Sequence, residues 1–449
     1  MLRPGSRGPL AYPLVTTSRP APIPEQPARR PRLRGLDALR FFAAFAVLLY
    51  HFAAFDTYST AVWGEPVEEV TGDVGVWFGY GALAPSLFFV ISGFVILMSA
   101  QGRNLRRFVS SRVARLYPAY WVAVLATSAL LTLLWNPGRN PSGGQVLANL
   151  TMFQSAMGFS HVDGVYWTLW VEMKFYLLIG IFLLIGITTR RVMVVAVAWP
   201  LISWAFALAE VPYVWDWLIY RQAPFFAGGM VIYLIHRHGH SLKRWLVLGM
   251  NVALAVLHGV PGLGRQVAER TPHELNPWIL GALTVACFVA VAVLSLTRLQ
   301  HLDWKWLTAI GGLTYPLYLM HQYWGWWAIS LVKDHVPAVV SLVVATGFSL
   351  LLAWLMHRYI ENPFGPRLRD GTAWLLDRIA APFDRARSRL HSPEAARWEE
   401  AEPRSGIISS GDDVVVAGGS QEVAAAGGQT GNPPRSDDDE DRPPVGAPV

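Results

Sequence analysis

Residues 36–55 read LDALRFFAAFAVLLYHFAAF, an apolar run long enough to cross a bilayer as a helix at about 1.5 Å per residue. Beyond its first turn two basic residues interrupt it: Arg40 near its start and His51 deep inside it. An ionisable side chain in hydrocarbon is costly unless a partner or water accompanies it, so His51 is a functional candidate. The eleven-residue step from Arg40 to His51 is close to a whole number of helical turns. The two therefore share one face, about 16 Å apart along the axis, a cation near one surface and an imidazole past the middle. A structural histidine near the interface is the alternative that this segment leaves open.

The rest of the chain has the same character. Of 449 residues, 53% are hydrophobic and only 15% charged, where a soluble protein carries about 25% charge. Mean hydropathy is +0.32, and twenty tryptophans suit aromatic belts at membrane interfaces. The net charge of +6 comes largely from arginines beside the apolar runs, which membrane topology explains better than nucleic-acid binding. A single cysteine, Cys287, excludes an intrachain disulfide framework. No signal peptide is evident in the Pro- and Arg-rich residues 1–31.

Apolar stretches recur at 36–55, 83–99, 116–135, 165–188, 192–209, 214–235, 245–258, 278–297, 306–332 and 336–357. The expected fold is therefore all-α, a polytopic transmembrane bundle of about ten spans. With the N-terminus cytoplasmic, sixteen arginines and lysines between Arg29 and Lys305 fall on inner connections. Only Arg139, Arg265, Arg270 and Lys333 fall outside. That bias places both termini in the cytoplasm and the chain in the plasma membrane. The chain divides into a disordered basic tail (1–32), a membrane domain (33–365), an amphipathic interfacial or short solvated helix (366–391) and a disordered acidic, Gly- and Pro-rich tail (392–449). No inverted repeat of the transporter kind is visible.

Topology converts position into depth. His51 and His321 each lie about 15 residues into outward-running spans, roughly 22 Å from the inner face. Glu172 and Arg221 lie about seven residues into inward-running spans, roughly 10 Å below the outer surface. The four depths coincide, which predicts one polar chamber in the outer half of the membrane. Glu172 pairing structurally with Lys174 or Arg221 is the plainer alternative, as is His321 packing beside a Pro316 kink. His51 is the favoured base, because a neutral imidazole takes a proton from a hydroxyl near neutral pH. On the inner side Arg112 and Arg115, at i and i+3, share a helical face, and guanidinium forks suit phosphate oxygens. Ordinary positive-inside topology also accounts for them.

Together these pieces resemble the membrane acyltransferase-3 family, bacterial O-acyltransferases that modify surface glycans and some antibiotics. The resemblance runs from about Leu33 to Phe364. It rests on RGLDALRFFAAFAVLLYHF with Arg40 and His51, SLFFVISGFVI (86–96), SSRVARLYPAY (110–120), YWTLWVEMKFY around Glu172, LTYPLYLMHQ (313–322) and RYIENPF (358–364). LDALR stands where LDGLR is common, Thr168 replaces a frequent serine, and Ala84-Pro85 stand where Gly-Val is usual. The resemblance implies an acyl-CoA donor, most often acetyl-CoA, arriving from the cytoplasm as a substrate, with no permanently bound cofactor and no metal. Its phosphates would stay at Arg112 and Arg115 while the pantetheine arm follows the Arg40 face. His51 would act as general base, a transient acyl-histidine being the runner-up, with Glu172 or His321 orienting it or relaying its proton. Trp167, Arg221 and Tyr315 are the expected substrate contacts. The acceptor would be a hydroxyl of a glycan, a lipid-linked sugar or a glycosylated metabolite, with membrane lipids as surroundings and nucleic acid excluded. A proton-coupled exporter is the rival reading of the polar groups alone.

Overall fold

The run 36–55 lies inside a helix, α1 (Arg34–Ala53). A computed structural model of the protein describes residues 33–390, with side chains through 382, and every regular element among them is helical. The long helices that follow are α2 (Ala84–Ala100), α3 (Leu105–Ala129), α4 (Gly143–Leu150), α5 (Trp167–Ile185), α6 (Thr189–Leu208), α7 (Ala223–His238) and α8 (Leu242–Leu254). They continue with α9 (Val260–Ala268), α10 (Pro277–Leu296), α11 (Lys305–Val332), α12 (Ala338–Met356) and α13 (Asn362–Leu390). The expected disordered tails, 1–32 and 392–449, lie outside the described residues.

Side-chain oxygens set several starts by taking up backbone N–H groups left free in a first turn. Asn104 accepts from Arg107 N at 2.9 Å, Thr188 from Arg191 N at 3.2 Å, and Asn276 from Trp278 N at 2.9 Å. Proline stands in the first turn of α2, α7 and α10, where it has no N–H to lose.

Among the described residues, eight helical runs are long and apolar enough to cross a membrane. Their outward faces carry large apolar side chains in the open, among them Leu184 at 71% and Val343 at 66% exposure. A water-facing surface rarely tolerates so much contiguous apolar area, whereas lipid welcomes it. The protein is a multi-pass membrane helical bundle.

Two of the ten expected spans depart from that description. The sixth, expected over 214–235, is broken: Pro212–Trp217 forms a separate helical turn, the chain bends with Ile219 at φ 48°, and α7 then has only 16 residues. The ninth, α11, is long but carries Thr314, Tyr315, His321 and Gln322. Both are central helices. α7 is buried at every position from Ala223 to Ile235, and α11 buries most positions from Thr314 to Ile329. Shielded from lipid by their neighbours, they need neither the length nor the uniform hydropathy of an outer span.

Glycine sets how closely this centre packs. Gly93 of α2 lies against the Phe226 carbonyl of α7, and Gly229 of α7 lies against the Val90 carbonyl of α2, so a methyl on either would strike backbone. This reciprocal approach of small residues is how membrane helices cross closely. Between α1 and α11, Gly325 makes room for the buried Phe52 ring. That contact holds the ends of α1 and α11 together, one residue from His51.

One loop folds back into the bundle. The Tyr117 hydroxyl donates to Thr151 O at 2.8 Å and the Trp121 indole to Leu150 O at 2.9 Å, so α4 and the following loop descend along α3. The buried Asn149 side chain supports this loop, donating to Ser160 O at 3.0 Å and accepting from Val162 N at 3.0 Å. Irregular backbone at such depth persists only when protein satisfies it in this way.

The last expected boundary also shifts. A π turn at His357–Glu361 carries α12 straight into α13, so the terminal helix begins at Asn362. Arg106 reaches its Asp377 at 3.3 Å.

Candidate active site

α1 and α11 bring the two histidines into direct contact. His321 is fully buried, and its Nε2 lies 3.1 Å from His51 Nδ1. His321 Nδ1 sits 2.9 Å from Tyr318 O and 3.2 Å from Leu317 O. A carbonyl oxygen only accepts, so His321 Nδ1 carries the proton and its Nε2 holds a lone pair. His51 Nδ1 then donates to that lone pair, and shares its proton with Val47 O at 2.9 Å. The remaining nitrogen of a neutral His51, Nε2, is left with its lone pair and makes no hydrogen bond to the described residues. The Trp326 indole fixes the backbone here by donating to His51 O at 2.8 Å, while Phe55 and Trp326 flank the ring.

His51 lines a cavity of about 240 Å³ with Tyr58, Arg139, Gly164, Trp167, Gln266, Arg270, Gln322 and others. A second cavity of about 280 Å³ lies toward the start of α1, lined by Asp37, Arg40, Ser92, Arg112, Arg115, Glu172, Tyr315 and others. Tyr318 is a wall of both. Its hydroxyl accepts from Thr168 Oγ1 at 2.9 Å and donates to Val165 O at 3.1 Å. A third, small cavity of about 60 Å³ holds Arg221 and shares Trp167 and Gln266 with the histidine cavity.

The single chamber expected from depth counting is thus three adjoining spaces. Trp167 belongs to the histidine cavity, Thr168 touches the dividing Tyr318, and Glu172, one helical turn further, lies beyond it among the arginines. Counting residues along an axis fixes height to within a turn, and one turn is the thickness of this wall. Glu172 accepts from Ser92 Oγ at 3.0 Å. It pairs with neither Lys174, which binds Asp216 at 2.8 Å, nor Arg221, whose Nε donates to the Tyr220 hydroxyl at 2.7 Å. Arg221 itself stands in the turn before α7 rather than inside a span. Tyr315 donates to Leu116 O at 3.0 Å.

The arginine cavity carries an excess of positive charge. Arg40 faces Asp37 at 3.7 Å. Arg112 donates to Ser99 Oγ at 3.2 Å and lies over the Phe108 and Tyr176 rings, its Nε buried without a partner among the described residues. Neither Arg112 nor Arg115 has a carboxylate within ion-pair distance among those residues. Guanidinium groups in that condition suit an anionic ligand such as a phosphate. No group of three or more metal-ligating side chains is gathered among the described residues.

Sequence reading passed over Tyr318, Arg139, Arg270 and Gln322. Tyr318 was within reach, being three residues before His321 on the same helical face. The arginines were visible only as outer-loop charge, because nothing local tells that loops some 130 positions apart converge. The same folded-back loop holds Asp163, fully buried next to Gly164, with Oδ1 accepting from Val165 N at 3.1 Å. Burial pushes its carboxyl up to about 7, against the opposing pull of that N–H and of Arg139.

A family model for an acyltransferase domain, acyltransferase-3, matches residues 33–358, the stretch that builds both larger cavities. The chain belongs to the acyltransferase-3 family. It is similar to acyltransferase MdmB of Streptomyces mycarofaciens, at 24% identity over 75% of this chain and 92% of the relative. It is also similar to the exopolysaccharide production protein ExoZ of Rhizobium meliloti (strain 1021), at 27% identity over 68% and 97%. No solved structure matches it. Within the acyltransferase-3 match fall Arg40, His51, Arg112, Arg115, Glu172 and His321, whose placement stands independently on the geometry above.

Proposed function

We propose that this acyltransferase moves an acyl group, most often acetyl, from cytoplasmic acyl-CoA to a hydroxyl of a glycan, a lipid-linked sugar or a glycosylated metabolite, with His51 as general base. The observation that carries the reading is the histidine pair: its hydrogen bonds leave the lone pair of a neutral His51 on Nε2, in a cavity wall-to-wall with one rich in arginine. The exopolysaccharide relative favours a sugar acceptor.

The chemistry balances without another reactant. His51 Nε2 accepts the acceptor's hydroxyl proton as its oxygen attacks the thioester carbonyl, and the resulting imidazolium donates through Nδ1 to His321. Collapse of the tetrahedral intermediate breaks the C–S bond, and the departing CoA sulfur takes the proton back from His51. The products are an ester and free CoA. Arg112 and Arg115 would hold the donor's phosphates, with Arg40 along the path of its pantetheine arm. Tyr318 stands where the acyl carbon passes from one cavity to the other. The arginine-rich end of the bundle then faces the cytoplasm, with both termini.

Acyl transfer in membranes carrying His51→Ala tests this. Loss of labelled ester at unchanged expression is expected; normal turnover would discard His51 as the base. Arg115→Ala should chiefly raise the donor KM, and an unchanged KM would leave that arginine a topological role only.

A further inference from the structure

The cavity above His51 is markedly cationic. Only four lysines or arginines were assigned to the connections at this end of the bundle, and two of them, Arg139 and Arg270, line that one cavity. Arg221 lines the small space that opens from it past Trp167 and Gln266. Arg139 is half-buried and held in place, donating to His161 O and, at 3.4 Å, to the Tyr323 hydroxyl. Those are neutral partners, and among the described residues none of the three arginines forms an ion pair.

No carboxylate lines either space. Asp56 lies near Arg270, whose carbonyl it contacts through its own N–H, but its Oδ1 is taken by Val67 N at 3.1 Å. Glu269 precedes Arg270 in the chain and lines no part of the cavity. Gln322, which lines the same cavity, offers a buried Oε1 with no partner among the described residues, an acceptor for a sugar hydroxyl. Arg270 is exposed, whereas the half-buried Arg139 acts on Asp163, whose buried carboxyl has Oδ1 taken by Val165 N at 3.1 Å and does not line the cavity. Within the cavity itself a ligand is left to supply the opposite charge.

We propose that the acceptor itself carries an anionic group, a carboxylate or a phosphate ester, bound by Arg139 and Arg270 with Arg221 at the flank. This rests on the acyl-transfer reading for what is done to the bound sugar, not for its binding. The acceptor class is thereby narrowed to acidic sugars or sugar phosphates, with the reacting hydroxyl presented downward to His51 Nε2.

The test uses the full-length protein in phosphatidylcholine nanodiscs, so that no anionic headgroup competes, with glucose, glucuronate and glucose 1-phosphate as probes. Either acid should bind at least about tenfold more tightly than glucose, and that margin should shrink as salt screens it. Comparing the two acids distinguishes a carboxylate from a phosphate site. The preference should survive His51→Ala, fall away in Arg139→Gln and Arg270→Gln, and be partly retained in Arg139→Lys, which keeps the charge and guards against mere misfolding. Equal binding of all three sugars, or a preference that both glutamine variants retain, would overturn the proposal. Labelled acetyl-CoA is added in parallel: an intact charge preference with no ester on any sugar counts against acyl transfer and leaves the anion site standing.

Discussion

The lone pair on His51 Nε2 depends on His321, because His321 is the ring that accepts the Nδ1 proton of His51. His321→Ala removes that acceptor and leaves Val47 O alone to hold the tautomer. Turnover should fall by roughly 10²-fold with the donor KM unchanged, the pattern of a positioning residue that acts only in the chemical step. An equal rise in KM would instead indicate a general loss of packing. Tyr318→Ala should join the two cavities and raise acceptor-independent hydrolysis of acyl-CoA several-fold, measured as free thiol released without sugar. Asp163 carries a pH signature. Its carboxyl titrates near 7 in the fold against an ordinary 3.8, so the folded state holds a proton that the unfolded chain has lost between those values. Stability from this group is present below about 4, drains away as pH rises toward 7, and is flat above. Asp163→Asn should therefore gain in Tm over the parent progressively from pH 4 to 7; a constant difference would contradict the assignment. At this scale the sequence displayed His51, His321 and the Arg112–Arg115 pair, since each breaks a local pattern. It did not display the histidine contact, which joins positions 270 residues apart.

At the scale of elements, the α2–α7 crossing carries the tightest constraint. Gly93→Ala or Gly229→Ala drives a methyl into the opposing carbonyl, at a cost of about 1–3 kcal/mol or more. Each should lower the Tm in detergent by several degrees. Gly249→Ala, inside α8 with nothing within 4 Å, serves as the control and should leave it unchanged or slightly raised, since alanine favours the helix by up to about 1 kcal/mol. Equal behaviour of the three would show that the crossing is looser than described. Most helices were legible because lipid demands long apolar runs, and that demand is written locally. The demand is relaxed for α7 and α11, whose solvent is other protein, yet the expected span 306–332 still matches α11 to within a residue, and of the two only the sixth span was misjudged. The break at Leu218–Gln222 also escaped notice, since Trp217, Leu218 and Ile219 keep hydropathy high across a segment that turns.

For the molecule as a whole, two cavities meet at Tyr318, one rich in arginine near the start of α1 and one open to the loops at the far end. On the proposed function this lets an acyl group move toward the outer side while the nucleotide stays behind. The charge bias along the chain, a sum over many connections that tolerates local error, is what assigns the arginine-rich end to the inner side in this proposal. The division into two cavities was not foretold, since it depends on how one tyrosine on α11 meets one threonine on α5. Sidedness of transfer is the most direct measurement. Sealed membrane vesicles of each orientation receive labelled acyl-CoA on one face and a sugar acceptor on the other. The account predicts ester only when the donor is on the arginine-rich face and the acceptor on the loop face, and none in vesicles carrying His51→Ala. Equal transfer with the donor supplied on the loop face would contradict it.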